Sequence, residues 1–279
     1  MITGKALIDD VNAAVVPYGK CAFWWLGQHG FIIKLGNVVL YIDAYLSPNE
    51  ARTVPPLLKP AEVTNADAII GTHDHGDHID RPMWPEIAQA SPESILITPL
   101  YVRDSVVMDL GLQAERVIGL DDGLSITVGD VKITAVPAAH ELLVIDPVTG
   151  YHEFLGVVIE GNGFCLYHAG DTTIYEGMQA RLRQWKVDLA FLPINGRDAK
   201  RLKSGCIGNM TYQEAVDLAG TIRPGLTIPT HFEMFEGNSE NPQLFIDYIE
   251  VKYPDLKAQI PVHGSRTLLS AASFKVSTL

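Results

Sequence analysis

A chain of 279 residues, 47% hydrophobic and 19% charged, is long enough to bury a sizeable core and has the balance of a globular protein. Its formal net charge of −12 argues against general affinity for nucleic acid, whose phosphates need a basic face, but leaves room for a small anion caught by a few local cations. No apolar run approaches the roughly 18 residues that cross a bilayer, and Cys21, Cys165 and Cys206 lie far apart with no CxxC pair, so neither a membrane-spanning helix, a disulfide framework nor a thiolate zinc site is suggested.

The start MITGKALIDD lacks the basic-then-apolar order of a secretory signal, so the expected location is cytoplasmic, without a membrane partner. From Cys21, the runs CAFWWLG, FIIKL and VVLYIDA, broken at 27–30 and at Gly36-Asn37, predict three strands of a β-meander. ADAIIGT (66–72) reads as a buried strand feeding a loop. PEIAQA, ILIT and LYVRDSVVMDLG then alternate helix, strand and an amphipathic helix closed by Gly111. A second strand-rich block follows, with LSITV and VKITAV around Gly129-Asp130, and FLGVVIE and FCLYH around 161–163. Beyond it, helical RLRQWK, TYQEAVDLAGTI and PQLFIDYIEVKY alternate with extended DLAFLP, LTIPTH and AQIPVH. Thr211 and Glu214 form a capping box that fixes the start of one helix. Strands then helices, repeated once with no linker between, predict a single α+β domain over 1–279, a four-layer αββα sandwich. The sequence does not set an oligomeric state; a homo-oligomer is compatible with it.

The loop after ADAIIGT reads GTHDHGDHID and packs three histidines and three aspartates into ten residues. His73 and His75, at i and i+2, share one side of an extended backbone, and Gly76 is expected to ease the turn that brings Asp77 and His78 round to the same point. Imidazole and carboxylate suit Zn²⁺, Mn²⁺ and Fe²⁺, and four such groups can serve two ions. Further ligands are expected where strands end: His140 after VKITAVPAA, Asp171 after FCLYHAG and His231 after LTIPT. His263, which ends IPVH, is the rival of His231, while His29 reads as a loop residue and His168 as packing or support behind the site. Asp43, ending VVLYID, suits a carboxylate that orients a ligand histidine.

HxHxDH, then a lone histidine, Gly-Asp and a final histidine, resembles the metallo-β-lactamase superfamily. Within it, FWWLGQHGFIIKLGNVVLYIDAYL, THDHGDHID, YHAGDTTIY and MTYQEAVDLAGTIRPGLTIPTHFEMF are similar to the L-ascorbate-6-phosphate lactonase family. The resemblance implies the αββα fold and two divalent ions, manganese or zinc. It places His73, His75 and His140 on one ion, Asp77, His78 and His231 on the other, and Asp171 between them. Two such ions would bring the net charge to about −8.

The expected chemistry is hydrolysis of a lactone or ester by hydroxide generated on a metal. Lowering the pKa of water from 15.7 to about 7 is worth about 12 kcal/mol, against roughly 3 to 5 kcal/mol from a general base alone. Asp77 or Asp171 would orient the nucleophile and handle protons. In PINGRDAKRLKSG (193–205), Arg197 is expected to grip the phosphate of an anionic small-molecule substrate, such as a phosphorylated sugar acid, and Asn195 to donate to the reacting oxygen. Two alternatives share the ligand pattern: a phosphodiesterase of nuclease or phospholipase D type, and a non-catalytic metal-binding protein with a closed coordination shell.

Overall fold

Period-two alternation in strands that are buried on both faces sets the layering. In β1 (Lys20–Gly27) every residue after Lys20 is buried. Cys21, Phe23 and Trp25 join one apolar cluster, while Ala22, Trp24 and Leu26 join another. The same division runs through β2 (Gly30–Leu35), β3 (Val38–Ile42), β4 (Ala68–Ile70) and β5 (Ile95–Pro99). Phe31, Ile33, Leu40 and Ile70 face a second sheet, and Ile32, Tyr41, Ile69 and Leu96 face helices. The computed structural model describes residues 1–271.

The first sheet has the order β13-β1-β2-β3-β4-β5-β6, with β6 at Val117–Leu120 and β13 at Arg266–Ser270. The second runs β12-β11-β10-β9-β8-β7, from β7 (Ser125–Val128), β8 (Val131–Pro137), β9 (Leu155–Gly161) and β10 (Phe164–His168) to β11 (Leu189–Pro193) and β12 (Leu226–Thr230). Both follow one plan. Antiparallel hairpins come first, β1 to β3 and β7 to β10, and parallel strands with helical crossovers follow, β3 to β6 and β10 to β12. Loops leaving the carboxyl ends of such strands are where open sheets carry their sites.

Helices α1 (Gly4–Ala13), α2 (Trp84–Ala90) and α3 (Arg103–Leu110) cover the outer face of the first sheet through Leu7, Val11, Trp84, Ile87 and Val106. Met178 of α4 (Met178–Leu182), Ala215 and Leu218 of α6 (Tyr212–Ile222), and Phe245 and Ile249 of α7 (Pro242–Lys252) pack with the second. The architecture is the four-layer αββα sandwich. Lys34, on the helix side of β2, keeps its stem buried and donates to the carbonyls of Val11 and Asn12 at 2.8 and 3.2 Å, neutralising the negative end of α1. Among the described residues no helix is long and apolar enough to cross a membrane.

The structure departs from the sequence reading at several places. AQIPVH is extended but forms only isolated bridges, Thr227 to Ala258 and Trp25 to His263, because Pro261 has no donor for a ladder. The helix expected at RLRQWK ends at Leu182, four residues before Lys186. The basic stretch contains a one-turn helix, α5 (Ala199–Lys203), capped by the Asp198 carboxylate on the backbone N–H groups of Lys200 and Arg201. Helix α1 and strands β6 and β13 had no counterpart in the reading.

Candidate metal centre

Four loops meet at one edge of the sandwich: the His/Asp loop after β4, and those after β8, β10 and β12. Gly71 lets the first of these pack close, since a Cβ there would lie 2.4 Å from Ile79 Cγ1. Gly76, expected to ease the turn, is dispensable for it: its φ is not positive and an added Cβ would meet nothing within 4 Å. The turn is instead closed by the N–H groups of His78 and Ile79 on the His75 carbonyl. Buried Asp80 ties this loop to the segment after β3 by accepting from the Leu46 and Ser47 N–H groups, both at 2.8 Å, and from the Ser47 hydroxyl. Burial raises the Asp80 pKa in spite of those bonds. Asp74 points outward to Arg81.

His73, His75 and His140 bring one ligand atom each to within 4.8 Å of one another, as do His73, His78 and Asp171, and Asp77, His78 and His231. Their separations, from 2.9 to 3.7 Å, lie close to or slightly above the edges of coordination polyhedra. Donors about 2.1 Å from a shared ion lie roughly 3.0 to 3.4 Å apart. Here His73 Nε2 and His75 Nδ1 are 2.9 Å apart, and Asp171 Oδ2 lies 3.2 Å from His231 Nε2 and 3.6 Å from His140 Nε2. Asp171 Oδ1 is 3.5 Å from His78 Nε2, which is 3.7 Å from Asp77 Oδ2. His78 Nε2 and Asp171 Oδ1 are buried and make no hydrogen bond. Two polar atoms left bare in that way, facing each other, fit a cation as their partner.

The far sides of the rings are held. Asp43 Oδ2 accepts from His78 Nδ1 at 2.7 Å, and the same carboxylate accepts from the Thr72 N–H and hydroxyl at 2.9 and 2.8 Å. His140 Nδ1 donates to the Gly208 carbonyl at 3.0 Å. Both arrangements put the proton on Nδ1 and turn Nε2 toward the centre. His29 lies 3.0 Å from the Gly170 carbonyl, next to Asp171, and His168 lies 2.8 Å from the His29 carbonyl, so both support the loops from behind. His263 stacks on Trp25 at 3.9 Å and belongs to none of the three groups, whereas His231 does.

A model of the beta-lactamase superfamily domain matches residues 39–232, from the second residue of β3 to the one after His231. The chain belongs to the metallo-β-lactamase superfamily. A UPF0173 metal-dependent hydrolase of Cupriavidus taiwanensis is 32% identical over 247 residues, covering 81% of this chain and 79% of that one. A UPF0173 metal-dependent hydrolase of Methanopyrus kandleri is 27% identical over 228 residues, 81% of this chain and 90% of that one. Among solved structures, Igni18, a metallo hydrolase of Ignicoccus hospitalis, superposes with a TM-score of 0.70 over 91% of this chain and all of that one, at 21% identity.

In this superfamily member a cavity of about 270 Å³ opens at the centre, walled by Asp77, Asp171, His140, His231, Cys206 and Asn238. The two residues expected to bind substrate do not face it. The Arg197 guanidinium is held by both oxygens of Glu214, at 2.7 and 2.8 Å, and by the Asn209 carbonyl. Glu214, the last residue of the capping box, thus pairs with Arg197 outside the cavity. Asn195 is buried; it accepts from Asn209 and donates to Asn238 Oδ1 at 2.7 Å, so it positions the Asn238 amide at the cavity wall. Gln28 and Asn238 escaped the sequence reading. Gln28 could have been found beside His29, as a polar residue in a tight turn at the edge where the site lies.

Burial, with neighbouring imidazoles, lowers the pKa values of His29, His73, His75, His140 and His168, and burial lowers that of His263 to about 4. His78 goes the other way: burial opposes its charge, but Asp171, Asp43 and Asp77 together raise it well above the ordinary value. In the unfolded chain all seven titrate near 6.5. Below that pH the unfolded state takes up protons that six of the folded imidazoles refuse, while the contribution of His78, gained as pH falls toward 6.5, grows no further. Chelator-treated protein should therefore lose stability steadily from about pH 6.5 downward, which urea melts at successive pH values will show. Unchanged midpoints between pH 7 and 5 would contradict it.

Proposed function

We propose that this member of a family of metal-dependent hydrolases hydrolyses a lactone or ester in a small hydroxylated substrate, water adding to the carbonyl carbon and the acyl C–O bond breaking to release a carboxylate and a hydroxyl. The observation that carries the reading is the open cavity lined by His75, Asp77, His140, Asp171 and His231, with His73 and His78 buried behind them in the same cluster. A closed shell would serve structure; ligands lining a solvent-reachable hollow serve reaction. Divalent ions bound there, manganese or zinc, would acidify a water and polarise a carbonyl.

The chain's own groups divide the remaining work. Asp77, with 22% of its side chain exposed against 4% for Asp171, reaches the cavity and is the acceptor for the proton of the attacking water. Asp171 lies deeper and fixes the spacing of the two ligand groups. Past Gly76 and Asp77 the cleft continues into a second hollow lined by Tyr45, Asn49, Phe235 and Asn238. Its amides suit hydroxyl groups, and its rings suit the apolar face of a sugar-like ring. No lysine or arginine lines either hollow among the described residues. A sugar-acid lactone therefore fits without the phosphate grip expected of Arg197.

The test is a turnover screen on protein loaded separately with Mn²⁺ and Zn²⁺, against sugar-acid lactones with and without a phosphate, phosphodiesters and β-lactams. Lactone or ester turnover that His75→Ala abolishes is the expected result. Phosphodiester turnover alone would replace this reading with the phosphodiesterase one.

A further inference from the structure

Gln28 occupies a place in the centre that its neighbours do not explain. It is wholly buried and takes a positive φ of 52° at the end of β1, a conformation that residues other than glycine seldom adopt. Its Nε2 lies 3.2 Å from Asp77 Oδ2 and 3.4 Å from His231 Nε2, while its Oε1 is buried with no partner. Oriented so, the amide aims a donor at two atoms that must face a cation and leaves its acceptor bare. A half-turn about the terminal torsion exchanges the oxygen and nitrogen at almost no steric cost. The oxygen then sits 3.2 Å from Asp77 Oδ2 and 3.4 Å from His231 Nε2, the spacing of ligands on one ion.

We propose that Gln28 is a protein ligand of the ion held by Asp77, His78 and His231, through its amide oxygen. This rests on the reading of the cluster as a metal centre. The two positions then differ in chemistry. His73, His75 and His140 offer three imidazoles, which suit zinc. Gln28 and Asp77 add two oxygens to His78 and His231, which moves that position toward harder ions such as Mn²⁺. The amide is neutral, so it contributes a donor without further offsetting the ion's charge. The backbone at Gln28 is fixed for this task, because its carbonyl accepts from the Trp25 indole N–H and from the His231 N–H.

The experiment is Mn²⁺ titration of chelator-stripped protein, followed by electron paramagnetic resonance of free Mn²⁺, for the parent, Gln28→Leu and Gln28→Glu. Thermal melts of the stripped proteins confirm that all three fold. In Gln28→Leu, one of the two equivalents should weaken about 10-fold or more, at least matching the loss of an outer-sphere partner, and the other should be unchanged. Gln28→Glu, which supplies an oxygen and a charge, should bind that equivalent as tightly as the parent or tighter. If Gln28 only donates to Asp77, the glutamate sets two carboxylates face to face and binds as weakly as the leucine variant, which overturns the inference. Parent-like binding of both equivalents by Gln28→Leu overturns it too, leaving the metal centre intact. A parent that binds no Mn²⁺ or Zn²⁺ removes the centre itself.

Discussion

Asp171→Ala should empty both metal positions and abolish turnover while the stripped protein stays folded. Its two oxygens reach His78, His140 and His231, ligand atoms of both groups, so this one carboxylate spans the two positions. Losing a partner behind a ligand costs about 10–100-fold in affinity, and losing a shared ligand should exceed the upper end of that range at each position. The fold should survive because His78 keeps its bond to Asp43 and the removed group is itself a buried charge. Burial disfavours that charge, yet His231 and His78 hold the Asp171 carboxyl well below the usual range. Metal content by mass spectrometry, with a melt of the stripped variant, checks both halves. Two ions retained per chain would refute the bridging role.

Gly170→Ala should be severely damaging although the position carries no chemistry. Gly170 has φ +59°, and a Cβ there would stand 2.2 Å from the Leu155 carbonyl oxygen, a backbone atom of the neighbouring strand that cannot step aside. Left-handed backbone and overpacking each cost roughly 1–3 kcal/mol, so a loss on the order of 3 kcal/mol or more is expected. Any relief moves the next residue, Asp171, so metal affinity should fall with stability. Gly76→Ala is the paired control, since a Cβ there meets nothing within 4 Å and stability should change by about 0.5 kcal/mol at most. Equal melting temperatures for the two variants would show that the Gly170 turn is not fixed by sterics.

The contrast between what was legible and what was not has a physical cause. Strands buried on both faces write themselves as long apolar runs, so the meander and the αββα layering could be read from CAFWWLG, FIIKL and VVLYIDA. The convergence of candidate ligands that follow such runs could be read as well, because a strand end fixes where the next side chain projects. His140, Asp171 and His231 lie beside the His73 loop for that reason. Helix α1 was missed because only Leu7, Ile8 and Val11 mark its buried side. Strand β13 was missed because its residues alternate exposed and half-buried at a sheet edge. The pairing of Arg197 was not legible because its partner, Glu214, lies 17 residues away and is also employed in capping a helix. No local pattern says that a capping glutamate will also hold a guanidinium. Gln28 was overlooked because its importance comes from direction, and direction in a turn depends on contacts made by residues far along the chain.

The centre draws its donors from loops of both sheets: the loop behind β4 supplies four, and the loops behind β8, β10 and β12 supply one each. Every cation seated there consequently clasps one sheet to the other along their open seam. By mass action, a position occupied at 100 times its dissociation constant adds about 2.7 kcal/mol to the resistance against unfolding. Metal supply in the cell would thereby govern how long the protein survives as well as how fast it works.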